Sequence, residues 1–210
     1  MTCPISRSLR TLPSKAVRYV VLDTELTSPK SRSNRLLSVG AIAMDGAKIR
    51  IGEQFYRVVN PGVTVAEASV LVHKLRPDDV ADGEPPRHVL ADLQKFIAGA
   101  VLVGHFVEMD LKILRKELSG TEHELNNPVI DTARVQRRIL QRGPYSGDLP
   151  DRLENLDLQA LVRAYGLACQ DAHHALSDAF LTAGIWQKMI YAAQSKGISK
   201  LGDLLRIGGV

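Results

Sequence analysis

The chain has 210 residues, 45% hydrophobic and 24% charged, a balance that favours one folded domain and excludes a disordered chain. No uninterrupted apolar run approaches the roughly 20 residues that cross a bilayer, which excludes a membrane-spanning protein. The net charge of +4 sits in residues 1–18, where Arg7, Arg10, Lys15 and Arg18 stand without an acid; the other 23 basic residues balance the 23 acids, so bulk charge assigns no function.

Residues 1–16 read as a basic, flexible tail, either solvated or an arm that touches phosphate. They lack the apolar centre of a secretory signal. Cys3 and Cys169 lie far apart and form no CxxC, which indicates neither a disulfide framework nor a structural zinc site and makes a reducing cytoplasm the expected location. Residues 17–195 form the expected domain, and 196–210 a C-terminal tail. Val17 to Leu22 is a β-branched and aromatic run that predicts a buried strand ending in acids. Leu36 to Met44 and Ile49 to Val59 predict two more strands around the hairpin signal Asp45-Gly46, with the register left open by Ala47 and Lys48. Asn60-Pro61-Gly62 breaks the pattern, and a segment without a clear period runs to Gly83.

Pro85-Pro86 opens a helix with Leu90, Leu93 and Ile97 on one face, closed by Gly99. Ala100 to Val103 is a compact strand followed by Gly104-His105 and a helix bearing Leu111, Leu114 and Leu118. Val129-Ile130 is another short strand, leading through Asp131-Thr132 into a helix with Val135 and Ile139. Strands alternating with helices predict crossover connections and parallel pairing. Gln141 to Arg152 reads as a loop and as the most mobile segment. Asn155 is the candidate cap of a helix striped by Leu158, Leu161, Val162 and Tyr165. The last helix, from about His174 to Gln194, shows Leu176, Phe180 and Ala183 beside Ala179, Trp186 and Ile190, a broad core-facing stripe.

Asp23 and Glu25 stand two apart at the end of the first strand, where a period of two puts both on one face. Alone, such a pair reads as a solvated strand end. Asp110 falls in the first turn of the helix after the Ala100 to Val103 strand, at the sheet edge where sites are built in open crossover sheets, and Asp178 opens the last helix. Either aspartate alone reads as a helix-dipole partner. Packed as one sheet with flanking helices, the four carboxylates can converge, and their repulsion then demands protons or cations. Oxygen donors without thiolates favour magnesium or manganese, the setting of two-metal phosphodiester hydrolysis. A neutral histidine such as His173 could take a proton from the attacking water.

Three motifs in order resemble the DEDDh exonucleases of the ribonuclease H-like superfold, of the proofreading epsilon-subunit (DnaQ-like) type. They are Asp23-Thr24-Glu25, Val103-Gly104-His105-Phe106-Val107-Glu108-Met109-Asp110, and His173-His174-Ala175-Leu176-Ser177-Asp178-Ala179. Asn60-Pro61 and Ile130-Asp131-Thr132 look like further landmarks, and the resemblance spans about residues 17 to 192. It implies an α/β fold, a mixed sheet of three antiparallel strands plus parallel strands flanked by helices. It also implies 3′-to-5′ release of nucleoside 5′-monophosphates from DNA, in proofreading or repair. RNA, as in oligoribonuclease or ribonuclease T relatives, is the alternative substrate. The intact set of four acids and a histidine argues against a non-catalytic module that binds nucleic acid or a polymerase.

By the resemblance, Asp23, Glu25, Asp110 and Asp178 hold two Mg2+ or Mn2+ ions and His173 is the general base. His174 occupies the position of the tyrosine in the DEDDy class, so spacing alone leaves the two histidines ambiguous; the H-x-A-L-x-D-A frame favours His173. Leu26, Thr27, His73 and Phe106 are the candidate substrate-binding residues, with Leu26 as an apolar wedge against a base. Phe106 and Met109 replace the family's usual asparagine and phenylalanine. The implied partners are nucleic acid with a free 3′ end, single-stranded or frayed, and a DNA polymerase. His105 reads as a packed strand-end histidine, and Asp131 as a helix-start cap.

Overall fold

A computed structural model describes residues 7–27, 34–63, 65, 75–121, 124–141, 155–168 and 173–210. Five strands form one sheet: β1 (Arg18–Leu26), β2 (Leu36–Asp45), β3 (Lys48–Val58), β4 (Val101–Gly104) and β5 (Val129–Asp131), in the order β3-β2-β1-β4-β5. The first three are antiparallel, and β4 and β5 pair parallel beside β1. The hairpin register closes on the pair Asp45↔Lys48, so Gly46 and Ala47 form the turn, and Gly46 takes the left-handed φ of 56° that the turn demands.

The alternation of β1 divides the core. Val20, Leu22 and Leu26 join the apolar face of α3 (Pro86–Ile97) and α4 (Glu108–Leu118), while the short α2 (Pro77–Ala81) places Val80 in a separate small cluster with Leu37 and Leu75. Tyr19 and Val21 join the opposite layer of α5 (Thr132–Gln141), α6 (Leu158–Ala164), α7 (Ala175–Ser195) and α8 (Leu201–Gly208). There the Tyr19 and Trp186 rings meet edge to face at 5.4 Å.

Three local expectations are corrected. Phe180 is 44% exposed rather than part of the core stripe. Ala175, Ala179, Thr182, Ala183 and Trp186 are among the buried residues of α7, which turns Phe180 and Tyr191 outward. Asp157, not Asn155, caps α6, accepting from the Ala160 N–H at 2.6 Å, while Asn155 accepts from the Asp157 N–H. The described parts of both expected tails are folded against the body. The α1 helix (Arg7–Thr11) and a 3-10 turn at Ser14–Ala16 run beside residues 199–201, with Ser14 N–H donating to the Ser199 carbonyl and Leu201 N–H to that of Leu12. Leu201 and Leu204 are fully buried, an apolar stripe that needs a partner surface and finds it in the layer holding α5 and α7. The loop expected over Gln141 to Arg152 falls, beyond Gln141, outside the described residues, as do Cys3 and Cys169. Among the described residues no helix is long and apolar enough to cross a membrane.

Gly40 sets how deeply α7 enters. It pairs with Asp23 across the sheet, and a Cβ there would lie 2.2 Å from the Leu176 backbone nitrogen and 2.4 Å from the Ala175 carbonyl carbon. The first turn of α7 therefore rests on bare backbone. Gly40→Ala is expected to lift that turn, costing about 1–3 kcal/mol by overpacking and lowering the melting temperature measured by calorimetry. An unchanged melting temperature would show that the seat is not tight.

Candidate active site

Asp23 and Glu25 extend the Tyr19 and Val21 face of β1, the face on which α7 packs. Seated on Gly40, α7 carries Asp178 in its first turns down to them. Carboxylate oxygens of Asp23, Glu25 and Asp178 lie within 4.8 Å of one another. The Asp178 carboxylate is held by its own helix start, since Oδ2 accepts the His173 N–H at 3.1 Å. Its other oxygen, Oδ1, is buried without a hydrogen-bond partner.

Asp110 arrives from the other layer, through an edge that β4 leaves open. The parallel ladder ends at Val21↔Val103, so the next part of β1 has no strand neighbour there. Asp110 Oδ1 takes that place, accepting from the Thr24 N–H at 2.9 Å and from the Thr24 hydroxyl at 2.5 Å. The loop before α4 is itself pinned by Asp131. Its Oδ2 accepts from the Val107 N–H, and its Oδ1 from the Ala133 and Arg134 N–H groups at the start of α5. Asp131 is thus a helix-start cap that also ties two loops together.

Burial and neighbouring negative charge act together on these carboxylates. Burial pushes the Asp23 carboxyl well above the usual range, and Asp110, Glu25 and Asp178 add to the shift. Asp110 is pushed up to about 7 by burial and by Glu25, against the hydrogen bonds from Thr24. Burial also raises Asp178, with Glu25 adding and the His173 N–H opposing. Two unit charges about 4 Å apart repel by about 4 kcal/mol at an effective dielectric constant of about 20. Such a cluster of hard oxygen donors, with one buried oxygen unpaired, fits a divalent cation.

Other candidates fall around this cluster. His173 is exposed, with a left-handed φ of 66°, directly before the α7 cap. His174 is that cap, its Nδ1 accepting from the Ser177 N–H at 3.4 Å. Thr27 closes the β1 to β2 connection, its N–H donating to the Arg35 carbonyl and its hydroxyl accepting from the Arg35 N–H. Leu26, at 7% exposure, packs into the α3 and α4 layer. Phe106, 51% exposed, lies on the bend before α4, and Met109, 42% exposed, in its first turn; Phe106 holds a φ of 51° unusual for a side-chain-bearing residue. His105 packs at the strand end with Nδ1 2.8 Å from the Thr132 hydroxyl, and burial lowers its pKa. His73 lies outside the described residues. Sequence reasoning missed Gly40 and Thr24; a glycine inside an apolar strand run is the signal of close backbone approach that could have flagged the first.

The family described as Exonuclease (RNase_T) matches residues 20–186. The chain is 27% identical over 201 residues to a DNA polymerase III subunit epsilon-like protein of Rhodobacter capsulatus, covering 94% of this chain and 27% of that protein. It is 27% identical over 175 residues to the DNA polymerase III subunit epsilon of Treponema pallidum, covering 83% of this chain and 77% of that protein. The chain thus spans about a quarter of the first of these relatives, and 12% of a DNA polymerase III PolC-type protein of Caldanaerobacter subterraneus. Among solved structures, cell-death related nuclease 4 superposes with a TM-score of 0.72 at 18% identity, over 86% of this chain and 66% of that one. E. coli Exonuclease I in complex with a dT13 oligonucleotide gives 0.71 at 19% identity, over 85% and 42%. These likenesses show the fold, a ribonuclease H-like mixed sheet. The matched span begins in β1, ends inside α7 and contains Asp23, Glu25, Asp110 and Asp178: the chain belongs to the RNase_T exonuclease family.

Proposed function

We propose that this chain is a 3′-to-5′ exonuclease that removes nucleotides from a free DNA 3′ end and releases nucleoside 5′-monophosphates. The observation that carries the reading is the convergence of Asp23, Glu25 and Asp178 within 4.8 Å, with Asp110 close enough to raise the Asp23 carboxyl. These four residues would hold two Mg2+ or Mn2+ ions. Bound there, the cations supply neutralisation of the carboxylates, polarisation of the scissile phosphate and a lower pKa for water.

The chain's own residues do the rest. His173, exposed at the lip beside Asp178, accepts the proton of the attacking water on an imidazole nitrogen as the water oxygen bonds to phosphorus and the bond from phosphorus to the 3′ oxygen of the shortened strand breaks, that oxygen taking a proton from solvent to become the new 3′ hydroxyl. Thr27 and Phe106 border the terminal nucleotide, with Leu26, 7% exposed, as the apolar wedge against its base. His73 is a further candidate substrate contact. Relatives named as epsilon subunits support a polymerase partner, and the dT13 complex of a structural neighbour supports a single-stranded or frayed end.

Asp23→Ala and Asp178→Ala should each abolish nucleotide release while leaving the fold intact, because removing one charge relieves repulsion as it destroys the metal site. Product analysis on single-stranded, paired and mispaired 3′ ends, with matched RNA strands, checks this and fixes the substrate. Chelator-resistant hydrolysis by the double variant would refute the assignment, and faster shortening of RNA would move the substrate to that class.

A second expectation concerns pH. The native Asp110 carboxyl, at about 7 rather than the ordinary 3.8, binds its proton more tightly than the unfolded chain does. Its stabilising contribution is therefore fully present below about pH 4 and is lost as pH rises through about 7. In chelator, the melting temperature of Asp110→Asn should gain on that of the parent as pH rises across this window, and Mn2+ should restore the parent alone. Parallel pH profiles for the two proteins would contradict the shift.

A further inference from the structure

The seat of α7 has an outer wall. Asp23 on β1, Gly40 on β2 and Tyr56 on β3 form one cross-strand row. The inner member carries a carboxylate, the middle one supports the first turn of α7, and the outer one meets His174. The Tyr56 and His174 rings stack with centroids 4.6 Å apart and planes inclined by 27°. Ser38, two residues before Gly40 on β2, is 1% exposed and pairs with Glu25 across β1 and β2. Tyr56 thus meets His174 directly, and His174 leads through the helix start to His173 and Asp178.

We infer that Tyr56 and His174 are positioning residues. Their stack clamps the start of α7 from the side opposite Asp23, and so fixes where the Asp178 carboxylate and the His173 backbone stand. Gly40 permits close approach but, having no side chain, cannot hold the helix laterally; the stacked rings supply that restraint. His174 is poorly placed to serve as the base, because Nδ1 is taken by the Ser177 N–H and one ring face lies on Tyr56. His173 has an exposed side chain and uses its backbone N–H to hold Asp178. This assignment rests on the proposed metal-dependent reading.

The test uses the full chain, Mn2+ titrated by electron paramagnetic resonance, and kcat and KM on a labelled single strand, with circular dichroism melts to confirm folding. Tyr56→Leu and His174→Ala should each weaken Mn2+ binding and lower kcat by about tenfold, as loss of an outer-shell support does, with KM little moved. His174→Phe, which restores a stacking ring without an imidazole, should recover most of both. If Tyr56→Leu does not fold, the His174 pair carries the test, since that side chain is only half-buried. Parental Mn2+ affinity and kcat in His174→Ala would overturn the inference. So would a His174→Phe variant as inactive as His174→Ala with Mn2+ affinity parental in both, which would make the imidazole itself the base. A parental chain that neither binds Mn2+ nor shortens the strand would sink the exonuclease reading, and this inference with it. A parent that does both while its variants match it sinks the inference alone.

Discussion

Repulsion among Asp23, Glu25, Asp110 and Asp178 is the constraint that the surrounding architecture is built to withstand. Each carboxylate is placed by a different structural cause. The period of the strand puts Asp23 and Glu25 on one face. The bare backbone of Gly40 lets α7 bring Asp178 to them. The short β4 leaves the Thr24 N–H for Asp110 to take. None of these devices cancels the charge. The raised carboxyls of Asp23, Asp110 and Asp178 show that the polypeptide holds the acids together at an electrostatic cost, one that protons or cations can offset.

The cluster therefore straddles the sheet. Three of its members lie on the face of α7, and the fourth reaches across from the face of α3 and α4. Both layers must hold their register for the acids to meet. On one side the folded N-terminal segment and α8 close over the layer built on Trp186, and the Arg134 guanidinium donates to the Gly209 carbonyl. On the other, Asp131 locks the entry of α4 to the start of α5. These contacts lie away from the acids and explain how a site of repelling groups sits in a well-packed fold.

Much of this was legible in the residues. The β-branched run that marks β1, the Pro-led α3 and the spacing of Leu111, Leu114 and Leu118 follow local patterns that the structure keeps, and the hairpin signal at Asp45-Gly46 is met by a turn one residue on, at Gly46-Ala47. The acids were legible because a strand end and two helix starts are positions that local patterns locate well. What failed depended on partners distant in sequence. Phe180 fits a helical stripe, yet the sheet chose the neighbouring row. Residues 196–210 read as a tail because a short amphipathic segment has no visible partner until α5 and α7 are in place. Asp157 displaced Asn155 as the cap by a shift of two residues, within the ordinary uncertainty of helix ends. The Tyr56 and His174 stack joins β3 to a helix start more than a hundred residues away, and no spacing rule announces it.

The most direct measurement is anomalous diffraction from crystals of the full chain grown with Mn2+. The account predicts two anomalous peaks enclosed by Asp23, Glu25, Asp110 and Asp178, with the Asp178 oxygen that lacks a hydrogen bond among the ligands. Peaks located elsewhere, or none at saturating Mn2+ with the four carboxylates turned apart, would contradict it.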